Sequence, residues 1–290
     1  MTEFLQLVVS GLAVGAVYGL VALGFVVVFK STALFNFAQG DLVMVGAYIA
    51  FALMDRAGLS LLPAIVGTLV VAVVLGWLMQ QVIFKPMLGS PLLTMVMVTV
   101  ALSLVIRGVV FMIFGPADHG LPSKLPSESV SVLGVTASTL DLTIMAVAAA
   151  TIAILAAFFR LTSIGLQLRA VGENPEAAAV VGVNANRMFT LAMVIGTVTA
   201  AIGGVLLANL QTVSPQLSEI GLLAFPAAVL GGMRSIPGAV VGGLVIGVIG
   251  QLATGYIGGS EANAVIYAVL LGVLLVRPEG ILGTREVARV

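Results

Sequence analysis

The chain has 290 residues, 60% of them hydrophobic and 8% charged, with twelve Lys and Arg against twelve Asp and Glu. A soluble domain carries about 25% charged residues, so this chain, with a mean hydropathy of +1.23, has the bilayer as its solvent. The charge balance excludes a nucleic-acid footprint. The absence of cysteine excludes disulfides, thiol catalysis and thiolate metal sites, and one histidine among scattered carboxylates offers no metal cluster.

Met1 to Gln6 holds Glu3 and no Lys or Arg, and the apolar run behind it is too long for a signal core, so no cleavable leader is expected. Apolar runs at 5–29, 42–54, 61–84, 92–114, 142–159, 188–209, 221–233, 238–258 and 262–276 predict membrane segments. A helix crosses the hydrocarbon core in about 20 residues. The first, third, fourth, sixth and eighth runs reach that length, and the fifth is near the lower limit. The second, seventh and ninth are short, so they borrow flanking residues, cross a thinned region or re-enter. The expectation is an all-α, polytopic membrane helix bundle of eight or nine segments, some short or broken, forming one transmembrane domain over residues 1–290.

Lys and Arg give the orientation. With nine crossings and the N-terminus outside, Lys30, Lys85, Arg160, Arg169, Arg187, Arg234, Arg277, Arg285 and Arg289 fall inside. Arg56 and Lys124 fall outside, and Arg107 lies within a span. This puts the 160–187 loop and the C-terminus in the cytoplasm and the 115–141 loop outside. That outer loop is rich in Pro, Ser and Gly and reads as a solvated cap, with His119 a surface residue rather than a ligand.

The order long, short, long recurs in 5–84 and in 188–258, and the two triplets start on opposite sides. That is the pattern of inverted repeats, whose short, Gly- or Pro-interrupted segments mark a transport path. Gly11, Gly15 and Gly19 recur every four residues, as do Gly238 with Gly242 and Gly243 with Gly247. Small residues on one face let helices approach closely in lipid, so these glycines predict tight helix packing.

Polar groups within the membrane are costly and tend to be functional. Asn36, Gln39 and Asp41 precede or open the second segment, where Asp41 can cap or charge-stabilise the helix and Gly40 can loosen the turn. Arg107 can pair with a carboxylate elsewhere or snorkel outward. Asn209, Gln211 and Glu219 lead into the seventh segment, where Pro226 is expected to break the helix, and Gln251 lies in the eighth. Asn36, Gln39, Asp41, Arg107, Asn209 and Gln251 are the candidates for a hydrophilic path.

The loop RLTSIGLQLRAVGENPEAAAVVGVNANR, residues 160–187, gathers three Arg, two Glu, three Asn and a Gln between two spans. Its middle has helix formers interrupted by Gly172 and Pro175. Pro175 suits a first helical turn, with Asn174 as N-cap, Glu176 near the positive end of the dipole and Gly182 as the stop. Such a helix suits docking to a soluble partner; an ordinary polar loop is the other reading. The sequence holds no HExxH, no acid–base constellation and no GxxxxGK[ST] phosphate loop. The chain therefore reads as a non-enzyme without a cofactor, and any ATP is bound by a separate chain.

Four stretches resemble the permease subunits of bacterial branched-chain amino-acid ABC importers: GLAVGAVYGLVALGFVVVF with FNFAQGDLVMVGAY, GENPEAAAVVGVNANR, FPAAVLGGMRSIPGAVVGGLVIGV, and RPEGILG. The resemblance runs over nearly the whole chain. It implies about eight membrane helices in the inner membrane, a related second permease forming a heterodimer, two cytoplasmic ATPase subunits, and a periplasmic or lipid-anchored substrate-binding protein. It also implies that 160–187 is the ATPase-coupling loop, carried by Arg169, Gly172, Glu173, Asn174, Glu176, Ala177 and Gly182. The same architecture importing urea or short amides, or a stand-alone transporter or channel, are the alternative functions.

Overall fold

The computed structural model describes residues 2–122, 125, 128–132 and 135–283. Its chain runs up and down a helical bundle. α1 (Thr2–Thr32) descends from the end that we call upper to the lower end, and α2 (Gln39–Asp55) climbs back. α3 (Leu61–Met79) descends and finishes in a π-helical turn, Gln80–Phe84, and a 3-10 turn, Lys85–Met87. α4 (Leu92–Phe114) climbs, and α5 (Thr139–Leu161) descends. α6 (Ser163–Glu173) and α7 (Pro175–Val180) form an arm at the lower end. α8 (Ala185–Leu210) climbs, α9 (Leu217–Leu222) and α10 (Ala224–Gly231) descend in succession, α11 (Ile236–Tyr256) climbs, and α12 (Gly259–Val276) descends.

Nine passes therefore connect the two ends among the described residues, matching the sequence-based count rather than the eight that the resemblance implies. Among the described residues, six helices are long and apolar enough to cross a membrane. Of the three short runs, 42–54 and 262–276 borrow flanking residues, as α2 and α12 show. The pass over 221–233 is two short helices broken at Leu223, and Pro226 does not break it: it sits in the first turn of α10, where its missing N–H has no intrahelical partner to lose. The upper loop, read from the sequence as a solvated cap, carries an antiparallel hairpin, β1 (Ser129–Val132) with β2 (Val135–Ser138), in an otherwise helical chain. His119 and Val213 exchange two backbone bonds, 2.9 and 2.7 Å, tying that loop to the start of the seventh pass. Lys124, one of the two expected outer cations, and Arg285 and Arg289 lie outside the described residues.

Apolar residues fill both the interior and the exterior, as lipid requires. The most apolar windows of α1 and α8 are 83% and 72% buried, against 17% for those of α4 and α5. The first two are thus the inner columns, while α3, α4 and α5 turn Trp77, Leu104, Met112 and Ile154 outward. The glycine rows explain how the columns pack. α1 crosses α11 in the opposite direction, Gly11 facing Val248 and Gly19 facing Val240. A Cβ on Gly15 would lie 2.9 Å from both the Gly243 oxygen and the Leu244 Cα. Gly238 and Gly242 of the same α11 meet Gly231 and Ala227 of α10 on another face. The tight packing expected of these glycines is present, backbone against backbone.

The two halves exchange partners. α1 packs on α10 and α11 of the second half, and α8 packs on α2 and α3 of the first. Gly76 of α3 faces the Val194 Cα of α8 as the α11 glycines face α1. This reciprocal arrangement supports the repeat read from the sequence.

Candidate functional site

Two places concentrate polar side chains. The first lies inside the bundle, where two passes interrupt their helices. After α1 the chain turns at Ala33, whose φ of 55° lies in the left-handed region. It then runs back up within the protein before α2 begins. Asn36 shapes this stretch, its Oδ1 accepting from the Ala38 N–H at 3.2 Å. Gln39 Nε2 donates to the Gly196 carbonyl at 2.9 Å, near the middle of α8, so α2 starts deep in the bundle rather than at its edge. α9 meets it there: a Cβ on Gly221 would sit 2.7 Å from the Gly40 Cα, and Gly40 itself faces the Ser218 carbonyl. Gly40 thus serves a close approach between two half-passes, not a loosened turn.

Asp41 makes no side-chain cap bond to α2. Its Oδ1 accepts from Arg107 Nε of α4 at 2.7 Å, and its side chain is 0% exposed against 35% for Arg107. Asp41 Oδ2 is buried without a hydrogen-bond partner. A carboxylate in the first turn also faces the positive end of the α2 dipole. Two further bonds hold α4: Thr99 Oγ1 to the Phe35 carbonyl at 3.2 Å, and Arg56 Nη2 to the Ile113 carbonyl at 3.2 Å. Phe25, Phe35, Phe37 and Phe225 surround the turn, with Phe25 and Phe225 edge to face at 5.6 Å. Sequence reasoning missed this aromatic cluster, although the FNF triplet at 35–37 was its signal.

Asn36 and Gln39 therefore form one buried pair, turned to α8, and Asp41 and Arg107 a second, part-buried one, turned to α4. Asn209 and Gln251 are not among them. Asn209 Oδ1 accepts from the Leu125 N–H at 3.0 Å, anchoring the upper loop. Gln251 packs by its Cβ against Gly11 in the α1–α11 contact. His119 is not the plain surface residue expected: its ring stacks on Phe51 at 4.6 Å.

The second place is the lower arm. Each of its joints is capped by the residue that opens the next helix. Thr162 Oγ1 accepts from the Gly165 N–H at 3.0 Å, Asn174 Oδ1 from Ala177 at 2.9 Å, and Asn184 Oδ1 from Arg187 at 3.1 Å. Pro175 and Glu176 occupy the first turn of α7, and Gly182, with φ of 86°, turns the chain out of it. These agree with the sequence reading. Gly172 does not: it lies within α6, where a Cβ would meet the Lys30 carbonyl at 2.7 Å. Its smallness seats the arm on the foot of α1. Lys30 Nζ stands 3.6 Å from Glu173 Oε1 at the same point, a solvent-facing pair worth at most about 1 kcal/mol. Beyond Ala177, Val180 and Val181 are 89% and 76% exposed, an apolar tip left uncovered by the other described residues.

These features define a polytopic helical membrane protein with interrupted passes in its middle and a rigid arm below. A family model described as "Branched-chain amino acid transport system / permease component" matches residues 7–276, and the chain belongs to that family. It is 34% identical to the high-affinity branched-chain amino acid transport system permease protein LivH of Escherichia coli (strain K12), over 99% of this chain and 98% of that one. It is 33% identical to BraD of Pseudomonas aeruginosa, over the same shares. Among solved structures, PsaBC from Streptococcus pneumoniae in complex with Fab shares the fold, with a TM-score of 0.52 at 19% identity over 96% of this chain and 93% of that one.

Proposed function

We propose that this chain is the membrane permease subunit of an ATP-binding-cassette importer that moves branched-chain amino acids across a bacterial inner membrane. The observation that carries this reading is its end-to-end likeness to the LivH and BraD permeases. The lower end is cytoplasmic, because Lys30, Lys85, Arg160, Arg169, Arg187, Arg234 and Arg277 lie there and Arg56 lies above. A second, related permease stands beside it. Two ATPase subunits bind and hydrolyse ATP from below, and a periplasmic or lipid-anchored binding protein delivers solute from above. The chain itself supplies a gate and no covalent chemistry.

The arm is the handle. A short helix capped at its start transmits displacement without bending, and the exposed Val180–Val181 tip gives a partner an apolar hold. Because Gly172 and Glu173 bear on the foot of α1, a push on the arm reaches an inner column directly. Rocking that column against the other half would open and close the path around the interrupted passes.

In proteoliposomes holding the assembled transporter, ATP should drive uptake of leucine, isoleucine and valine. Uptake of urea or short amides instead, with none of these amino acids, would refute the substrate assignment. For the arm, Asn174→Ala removes a cap worth about 1 kcal/mol, and Glu176→Arg reverses charge at the dipole's positive end. Both should lower the ATPase co-purifying with the permease, the second more, while membrane insertion is unchanged. Full ATPase recovery and full uptake in both variants would show that the arm is not the coupling element.

A further inference from the structure

A cleft of about 860 Å³ opens at the lower end between α5, α6 and α11. Its mouth carries Lys30, Arg160, Arg169 and Arg234, with Glu173 as the one carboxylate among its lining residues. Its walls are apolar: Ile152, Ala156 and Phe159 from α5 face Val240 and Val241 from α11. From Ile152 to Arg160 the wall rises roughly 12 Å at helical pitch. Arg169 Nε is buried without a hydrogen-bond partner among the described residues. The cleft is thus cationic at the membrane edge and greasy above it.

We infer that this cleft binds an anionic phospholipid of the lower leaflet, its phosphate held by Lys30, Arg160 and Arg169 and one acyl chain lying between α5 and α11. The charge selects against a zwitterionic headgroup, since basic recesses between membrane helices on the cytoplasmic side suit anionic ones. The apolar wall selects against a free anion, which would gain nothing from it. The position gives the lipid a consequence: Arg169 belongs to the arm and Arg160 to α5, so one headgroup would join the arm to the membrane-spanning helices.

The test is phosphatidylglycerol retention by the full chain, delipidated in detergent and followed by native mass spectrometry. Wild type should keep phosphatidylglycerol in preference to phosphatidylcholine, and millimolar inorganic phosphate should not displace it. Arg160→Gln with Arg169→Gln should weaken retention by roughly tenfold or more. Val241→Trp, which leaves the cations and fills the apolar wall, should weaken it as well and decides the matter if the double variant does not fold. Lys85→Gln, at the lower end but outside the cleft, should behave as wild type. Displacement by inorganic phosphate would identify a free-anion site and overturn the proposal. So would equal retention of phosphatidylcholine, unchanged retention in both cleft variants, or no retained lipid at all. Lipid retention is read without transport, so its failure is distinguishable from failure of the importer assignment.

Discussion

Replacing Gly243 or Gly247 with valine should prevent α1 and α11 from closing on each other and leave the permease unstable. A side chain at either position would fall on the backbone of Gly19 or Gly15, not on a flexible neighbour that could turn aside. Overpacking a core ordinarily costs about 1–3 kcal/mol. Here only a shift of one whole helix relieves the clash, so the upper end of that range or beyond is expected. The check is thermal unfolding in mild detergent, scored by loss of monodisperse protein. Gly108→Val and Gly272→Val are the controls, because a Cβ at either position meets nothing within 4 Å. If the α11 variants unfold at the same temperature as these controls, the glycine contact is not what holds the columns together.

Arg107→Ala should destabilise the protein by about 3–5 kcal/mol, the range for leaving a buried charge unpaired, and Asp41→Ala by less, because Arg107 is 35% exposed and stays partly hydrated. Arg107→Ala should be the harsher, since it strands a carboxylate that is wholly buried. The double variant Asp41→Leu with Arg107→Met removes both charges and should regain most of the loss. A double-mutant cycle on unfolding free energies measures the coupling. The stake is large because α4 touches the rest of the bundle mainly through α2, and Asp41–Arg107 is the shortest of the three polar links described between α4 and α2 with its flanking residues Phe35 and Arg56. Additive single effects would mean that the two residues do not act as a pair.

The long passes were legible because hydrophobic length is a local property. The runs at 92–114 and 61–84 coincide with α4 and with α3 plus its π turn, and the 142–159 run needed only its polar flanks, Thr139 and Arg160, to reach full length. The α2 start was placed late, at 42, because Gln39 and Asp41 look like water-facing residues. They are polar residues satisfied inside protein, by Gly196 and Arg107, and hydropathy does not distinguish the two cases. The same limit hid the break at Leu223, which has no local cause in Pro226. Arg107 stood out as a costly charge within a span and Asp41 as one at a span edge, and for the arginine pairing with a carboxylate and snorkelling were both open. The 66-residue separation of the two residues left the partner unreadable. The arm read well since N-caps, a first-turn proline and a terminal glycine are chemistry between near neighbours. The contact of Gly172 with Lys30 is tertiary, and the glycine was accordingly mistaken for a helix breaker.

The glycine contact between α1 and α11 also sets a problem of timing during synthesis. The first column is made at once, but its main partner follows about 230 residues later. At ribosomal rates this is a wait on the order of ten to fifty seconds. Through that interval the Gly11–Gly15–Gly19 stripe faces lipid or the insertion machinery, an unclaimed surface on which any small-residue helix could settle. The nascent protein is therefore most open to mispairing before its last quarter emerges, and truncation upstream of Ile236 would leave the earliest-made helix without its principal companion.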